Sequence, residues 1–438
     1  MRLINTFTLK LEVFIEPPAY AILSHRWEPG KVSFEQYVAH PLMGSVFTRR
    51  LRSIRRPVMC SAGYQKIAAC CALAKTRGYS WLWIDTICID KRSSTELSEA
   101  INSMWKWYES AAECYVYLSD VVSKPAGTEE KGFHKATQEL LEQFQASLWF
   151  TRGWTLQELL APWKITFCDC NWNTIYNHVK GPYVEVRLSR RDREFVAKIA
   201  AATGIAEEHL NRGRSALDAS IAVKISWVAK RQTTRVEDTA YCLLGLLGIN
   251  MPLLYGEGHK AFIRLQEELI RHSHDESIFA WRCPCSRSSE PLENLTSYVP
   301  EAPCKCIPGI LLAPAPSFFA SSGSIVDERL SPRPPYSITN LGLVLEAEAW
   351  VIRGTECNEW TDAHELYIIP LNCWRIDCLL PTRRRCALVL KRASGKRQRG
   401  PHDIYLRHNC HDVGGDIDAL YPYYKREAIG TTRFYISY

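Results

Sequence analysis

Short apolar runs alternate with segments of helical periodicity through the first half of the chain. Tyr20-Ala-Ile-Leu-Ser24 is apolar up to a polar end, the pattern of a strand buried on both faces. From Gly63 to Arg77 the apolar positions Tyr64, Ile67, Cys71 and Ala74 recur at helical spacing, and Gly78 supplies a stop. Trp81-Leu-Trp-Ile-Asp85 reads as a second strand. Ser93-Ser-Thr-Glu96 has the form of a capping box, in which hydroxyl and carboxylate satisfy each other's free amides. The helix it opens carries Leu97, Ile101, Met104, Trp105 and Tyr108 on one stripe. Cys114-Tyr-Val-Tyr-Leu118 reads as a third strand, His134 to Ser147 and Trp154 to Leu160 as helices, and Lys164 to Phe167 as a fourth strand. Strands alternating with helices predict an α/β domain with a parallel sheet flanked by helices. In such sheets ligands bind beyond the carboxyl ends of the strands. Ser24, Asp85 and Asp120 fall at those ends.

From about residue 195 to 281 the pattern is helical, with apolar-rich segments at Ser220–Ala229, Glu237–Leu247 and His259–His272. Residues 282–306 are rich in Pro, Ser and Cys and read as a linker. Beyond them lie short β-like runs, Gly342–Glu346, Leu366–Ile369, Ala387–Leu390 and Phe434–Ser437, which predict a smaller β-rich domain.

Composition narrows the class. Hydrophobic residues are 46% of the 438 and charged residues 23%, so the chain is globular rather than disordered. The net charge of +7 gathers in local runs at Arg49–Arg56 and Lys391–Arg399, with no nucleic-acid module around them, and nucleic acid is not an expected partner. Nine of the 14 Trp lie between Trp27 and Trp172, which favours one aromatic core over a ligand-stacking surface. The N-terminus lacks a continuous apolar core for a secretory signal. The longest apolar run, Cys242–Tyr255, is interrupted and too short to span a bilayer. With 17 Cys, an odd number spread over the chain, free thiols in the cytoplasm are expected.

Three blocks then resemble the fungal heterokaryon-incompatibility (HET) domain family. They are Tyr20-Ala-Ile-Leu-Ser-His-Arg-Trp27; Gly63-Tyr-Gln-Lys-Ile67 with Trp81-Leu-Trp-Ile-Asp-Thr-Ile-Cys-Ile-Asp90 and Tyr117-Leu-Ser-Asp120; and Trp149-Phe-Thr-Arg-Gly-Trp-Thr-Leu-Gln-Glu-Leu-Leu-Ala-Pro162. Glu237–Gly245 and Leu254–Gly258 look like the family's helical extension. The resemblance divides the chain into a HET domain at 1–162 with its core at about 20–162, a mostly helical extension at 163–281, the linker, and a β-rich domain at 307–438. It implies signalling in fungal self/non-self recognition and regulated cell death, through self-association or a protein partner. It also implies a remote kinship with TIR domains, a flavodoxin-like α/β fold, some of which cleave NAD at the nicotinamide–ribose bond.

That kinship points to Glu158 in Trp154-Thr-Leu-Gln-Glu-Leu159 as a catalytic carboxylate, with NAD as substrate and no resident cofactor. A carboxylate beside the ribose stabilises an oxocarbenium-like state while nicotinamide leaves. Ser24, His25, Asp85, Arg152 and Trp154 are the matching candidates for substrate contact. Each has a structural alternative: Glu158 paired with Arg152, Ser24 and His25 in a self-bonded turn, and Asp85 capping the next segment. Cys88 has no partner order for a thiol hydrolase and reads as buried. Cys283, Cys285, Cys304 and Cys306 offer four thiolates for a zinc-bearing scaffold, although the spacing within each pair is short for structural zinc, and no metal ligand is assigned.

Overall fold

The computed structural model describes residues 1–40, 61–123, 133–181, 189–211, 215–283, 310–328, 333–353, 366–376, 383–392, 404–414 and 425–437. These form two compact units. The first comprises Met1–Leu217, Arg231–Thr234 and Tyr241–Leu253; the second comprises Asp218–Lys230, Arg235–Ala240 and Leu254–Tyr438.

The first unit is built on a seven-stranded sheet. Its strands are β1 (Arg2–Asn5), β2 (Leu11–Val13), β3 (Ala21–His25), β4 (Trp81–Ile84), β5 (Glu113–Tyr117), β6 (Lys164–Cys168) and β7 (Thr174–Val179), in the spatial order β2-β1-β4-β3-β5-β6-β7. The inner four, β4-β3-β5-β6, are mutually parallel; β1, β2 and β7 add antiparallel edges. Numbered along the chain, the parallel core has the order 2-1-3-4. The order therefore reverses between β3 and β5, and the crevice at their carboxyl ends is the default ligand site of a doubly wound sheet. The strands are legible as unbroken apolar runs because both faces are covered: every residue of β3 is buried.

Helices α1 (Phe34–Ala39) and α2 (Ala62–Thr76) lie between β3 and β4. The turn α3 (Asp85–Cys88) and α4 (Ser94–Ser110) lie between β4 and β5. Then α5 (Phe133–Ala146) and α6 (Thr155–Leu160) precede β6, and α7 (Arg190–Thr203) follows β7. The α4 stripe is buried at Ile101, Met104, Trp105 and Tyr108, while Leu97 is half-buried and Ala100 joins the buried face. Its cap differs from the expected box. Ser93 Oγ accepts from Glu96 N, but the Glu96 carboxylate turns away to accept from Asp90 N at 2.8 Å and Arg2 Nη1 at 2.7 Å. A guanidinium is a stronger donor than an amide, so the carboxylate joins α4 to the edge strand β1 instead. Asp120 also proves structural: it accepts from Ser147 Oγ and Leu148 N, both at 2.7 Å, and ties the β5 exit to the turn before α6.

The short helix Leu244–Leu247 packs on α4 by means of a glycine. A Cβ on Gly245 would overlap Trp105 Cβ and stand 2.9 Å from Trp105 Cγ. Gly245→Ala is expected to cost about 1–3 kcal/mol by overpacking, read as a lowered denaturation midpoint of the first unit. An unchanged midpoint would contradict this packing.

In the second unit, β10 (Gly342–Arg353), β11 (Leu366–Ile376), β12 (Arg383–Arg392), β13 (Ile404–Gly414) and β14 (Lys425–Ile436) close into a ring, because β10 pairs with both β14 and β11. Two short strands, β8 (Ile325–Asp327) and β9 (Ser337–Thr339), add to β11 and β10. An odd number of strands cannot close with every neighbour antiparallel, and here β13 and β14 are the parallel pair. Pro370 lies inside β11 where the register shifts before Trp374, a position that tolerates a missing N–H. The helix Lys260–His272 buries Phe262, Leu265, Gln266, Leu269 and Ile270. Near it, Glu276 is buried and accepts from Asn372 N at 2.7 Å and Arg333 Nη1 at 3.2 Å. Three of the four β-like runs expected beyond residue 307 fall within these strands, and the fourth, Phe434–Ser437, runs one residue past the end of β14. Among the described residues no helix is long and apolar enough to cross a membrane.

Candidate functional site

The carboxyl ends of β3 and β4 bring most of the candidate residues together. Ser24 and His25 close β3, and Asp85 follows β4 directly. Glu158 comes from α6, whose six residues are all buried. Ser24 Oγ donates to Glu158 Oε2, and Trp149 Nε1 donates to Ser24 Oγ at 2.9 Å. The hydroxyl is thus oriented from both sides, and its proton is aimed at the carboxylate.

Glu158 is 6% exposed. Burial pushes its carboxyl up to about 7, and the negative Asp85 adds to the rise, against the pull of Arg152, the Ser24 hydrogen bond and Arg231. The expected alternative, an ion pair with Arg152, is not formed. Arg152 Nη1 donates to the His25 carbonyl at 3.2 Å, and its guanidinium lies 4.8 Å from the Trp27 ring centroid.

The short helix α6 is held at both ends by cations, the half-buried Arg231 and the buried Lys180. At its start Arg231 Nη1 donates to Arg152 O and to Thr155 Oγ1, both at 3.0 Å. At its end Lys180 Nζ donates to Leu159 O at 2.7 Å and Leu160 O at 2.6 Å, which satisfies carbonyls that a helix terminus leaves open. Burial lowers Lys180 to about 7. Gly153 allows the segment before α6 to dock: its N–H donates to Gln232 O at 2.8 Å, and a Cβ there would stand 2.6 Å from Thr233 Cγ2. This accounts for the glycine in the Arg-Gly-Trp block.

Asp85 is the acceptor of a second cluster. Trp27 Nε1 donates to its Oδ2 at 2.7 Å, and Lys91 Nζ reaches the same oxygen at 3.4 Å. Burial favours the neutral carboxyl, but Lys91, His25, Arg152 and the Trp27 hydrogen bond outweigh it and hold Asp85 below its ordinary range. His25 is lowered to about 4 by burial, against the pull of Asp85, and is neutral at physiological pH.

Trp154, the remaining candidate, is half-buried at the start of α6 and makes none of the contacts that join these clusters. The residues missed from the sequence are Trp27, Lys91, Trp149, Lys180 and Arg231. Cys88 is buried, its Sγ accepting from Ile84 N, and burial pushes its thiol up to about 12, so it is no nucleophile. Among the described residues no group of His, Cys, Asp or Glu could hold a metal ion. Of the four thiolates considered for zinc, only Cys283 lies among them. The basic run at 49–56 also lies outside the described residues.

A family model described as heterokaryon incompatibility protein (HET) matches residues 20–138, and one described as a domain of unknown function (DUF8212) matches residues 260–332. The vegetative incompatibility protein HET-E-1 of Podospora anserina is 39% identical over 253 residues, which is 58% of this chain and 16% of that protein. The chain thus spans about one sixth of the length of that relative. No solved structure matches.

Proposed function

We propose that this chain, a HET-domain protein of the heterokaryon-incompatibility family, signals in fungal self/non-self recognition and triggers regulated cell death. The observation that carries the reading is the agreement between the family match at 20–138 and the built cluster at the sheet's switch point, where Ser24, His25, Asp85, Arg152 and Glu158 converge from four separate elements. The setting is the cytoplasm, and the trigger is self-association or a protein partner. The test is inducible expression of the chain in a fungal host, fused to a module dimerised by a small molecule. Loss of viability on dimerisation is expected; unaffected growth at equal protein level would contradict it.

A second reading concerns the executing step, and the Ser24–Glu158 pair favours it. The domain is a TIR-like NAD glycohydrolase, with Glu158 as the carboxylate beside the ribose. A cationic nicotinamide riboside placed there would draw a carboxyl poised near 7 into its ionised form, the form that stabilises an oxocarbenium ion. At 6% exposure the carboxylate is closed to solvent. The hydrolase reading therefore requires the site to open, and association is the event assigned to that opening. Nicotinamide release, with Glu158→Ala as control, decides this reading independently of the first.

A further inference from the structure

Trp27 is surrounded by cations. Lys91 Nζ lies 3.6 Å from its ring centroid, Lys31 Nζ 3.9 Å and the Arg152 guanidinium 4.8 Å. Beside them Lys66 Nζ is 3.0 Å from Glu28 Oε2 and 4.9 Å from the Tyr117 ring centroid. Four cations from four segments thus face two paired carboxylates, Asp85 and Glu28. Like charges gathered on one indole repel one another: desolvation lowers Lys91 against the pull of Asp85, and Lys31 and Arg152 lower it further. Cation–π contacts contribute about 0.5–2 kcal/mol each and do not by themselves account for the surplus.

Of these residues Lys31 and Lys66 line a recess at the carboxyl ends of β3 and β4, together with Leu23, His25, Ile84 and Thr86 among others, while Lys91 and Arg152 stand on the Trp27 ring outside that lining. His25 is 6% exposed, and its Nδ1 has no hydrogen-bond partner among the described residues. An unsatisfied buried ring nitrogen costs free energy unless a ligand or water meets it. Surplus positive charge, an open hydrogen-bonding atom and a recess therefore coincide at the carboxyl edge of the parallel sheet, at β3 and β4 beside the β3–β5 switch point.

We propose that this recess binds the phosphate or pyrophosphate group of a small ligand, with Lys31 and Lys66, which line it, as the principal cations, Lys91 and Arg152 as flanking ones, and His25 Nδ1 as a hydrogen-bonding partner. The inference deepens the glycohydrolase reading by naming how a dinucleotide would be held, but the anion site stands on its own geometry.

The test is isothermal titration calorimetry of the full chain at low ionic strength with orthophosphate, inorganic pyrophosphate, ADP and adenosine. Saturable binding of pyrophosphate and ADP is expected, and none of adenosine. Binding of orthophosphate as tight as that of pyrophosphate assigns the site to a single phosphate, and weaker binding assigns it to the phosphoanhydride. Lys31→Gln/Lys66→Gln is expected to weaken pyrophosphate binding about tenfold or more, while Lys10→Gln/Lys106→Gln, at positions elsewhere, leaves it unchanged. Equal thermal unfolding of the two double variants shows that the fold is intact. Absence of saturable binding of every phosphate probe, or equal weakening by both double variants, would overturn the proposal. Glu158→Gln is expected to retain pyrophosphate binding. Binding without nicotinamide release would therefore reject the hydrolase and keep the site; release unaccompanied by phosphate binding would do the reverse.

Discussion

Glu158→Gln is expected to stabilise the first unit at pH 8 by about 3 kcal/mol and to leave its stability at pH 4.5 nearly unchanged. The folded carboxyl titrates at about 7 against an ordinary value of 4.5, and each tenfold change in proton affinity is worth about 1.4 kcal/mol. Between those values the folded state holds the proton more tightly than the unfolded state. The unfolding free energy from this group therefore falls as pH rises from 4.5, and the loss is complete above 7. Gln keeps an acceptor for Ser24 and carries no titrating proton, so it escapes the loss. His25 and His178 work in the opposite direction. Burial lowers both to about 4, so their contribution to stability is lost as pH falls from 6.5 toward 4. The wild-type profile is thus partly flattened, and the difference between wild type and variant isolates Glu158. Denaturant unfolding at pH 5, 6.5 and 8 measures it. A gap that does not widen with pH would mean that Glu158 is not a buried, raised carboxyl.

Trp149 carries the second large effect. Its ring is buried and meets Phe150 and Phe167 edge-on at centroid distances of 5.1 and 5.9 Å, and its N–H fixes Ser24. Trp149→Ala is expected to cost about 3–5 kcal/mol through lost burial and the cavity left behind. Trp149→Phe keeps much of the aromatic packing and removes the donor; its expected cost is about 1–2 kcal/mol, chiefly the lost hydrogen bond to Ser24. Chemical denaturation of both variants separates packing from polar contributions. If the two variants lose equally, the ring contributes nothing beyond the N–H and the aromatic account fails.

The fold was largely legible because its signals are local. The continuous apolar runs of β3, β4 and β5 follow from burial on both faces, and the α4 stripe follows from one buried face. Ser24 and Asp85 were legible as polar residues at strand ends, where such sheets hold ligands. What the sequence could not show depends on contacts across long separations. Ser24 and Trp149 are 125 residues apart and Trp27 and Asp85 are 58 apart. Nothing local to Trp149 signals that its N–H meets a hydroxyl. Lys180 sits in a polar-looking stretch, and only the folded chain places its ammonium on the carbonyls of α6. Glu96 matched a capping box by spacing, yet Arg2, distant in sequence, took its carboxylate. Trp154 stands out by likeness to a motif, and it lies half-buried at the start of α6.

The most direct measurement is nicotinamide release from NAD by the purified full chain, followed by proton NMR at low protein concentration and after forced association, beside Glu158→Gln under the same conditions. The expected result is release by the associated wild type and a loss of about 100-fold or more in the variant, the scale of removing one preorganised charge from a reaction centre. No release from any associated form would contradict a catalytic site at the switch point, and equal release from the variant would contradict the role of Glu158.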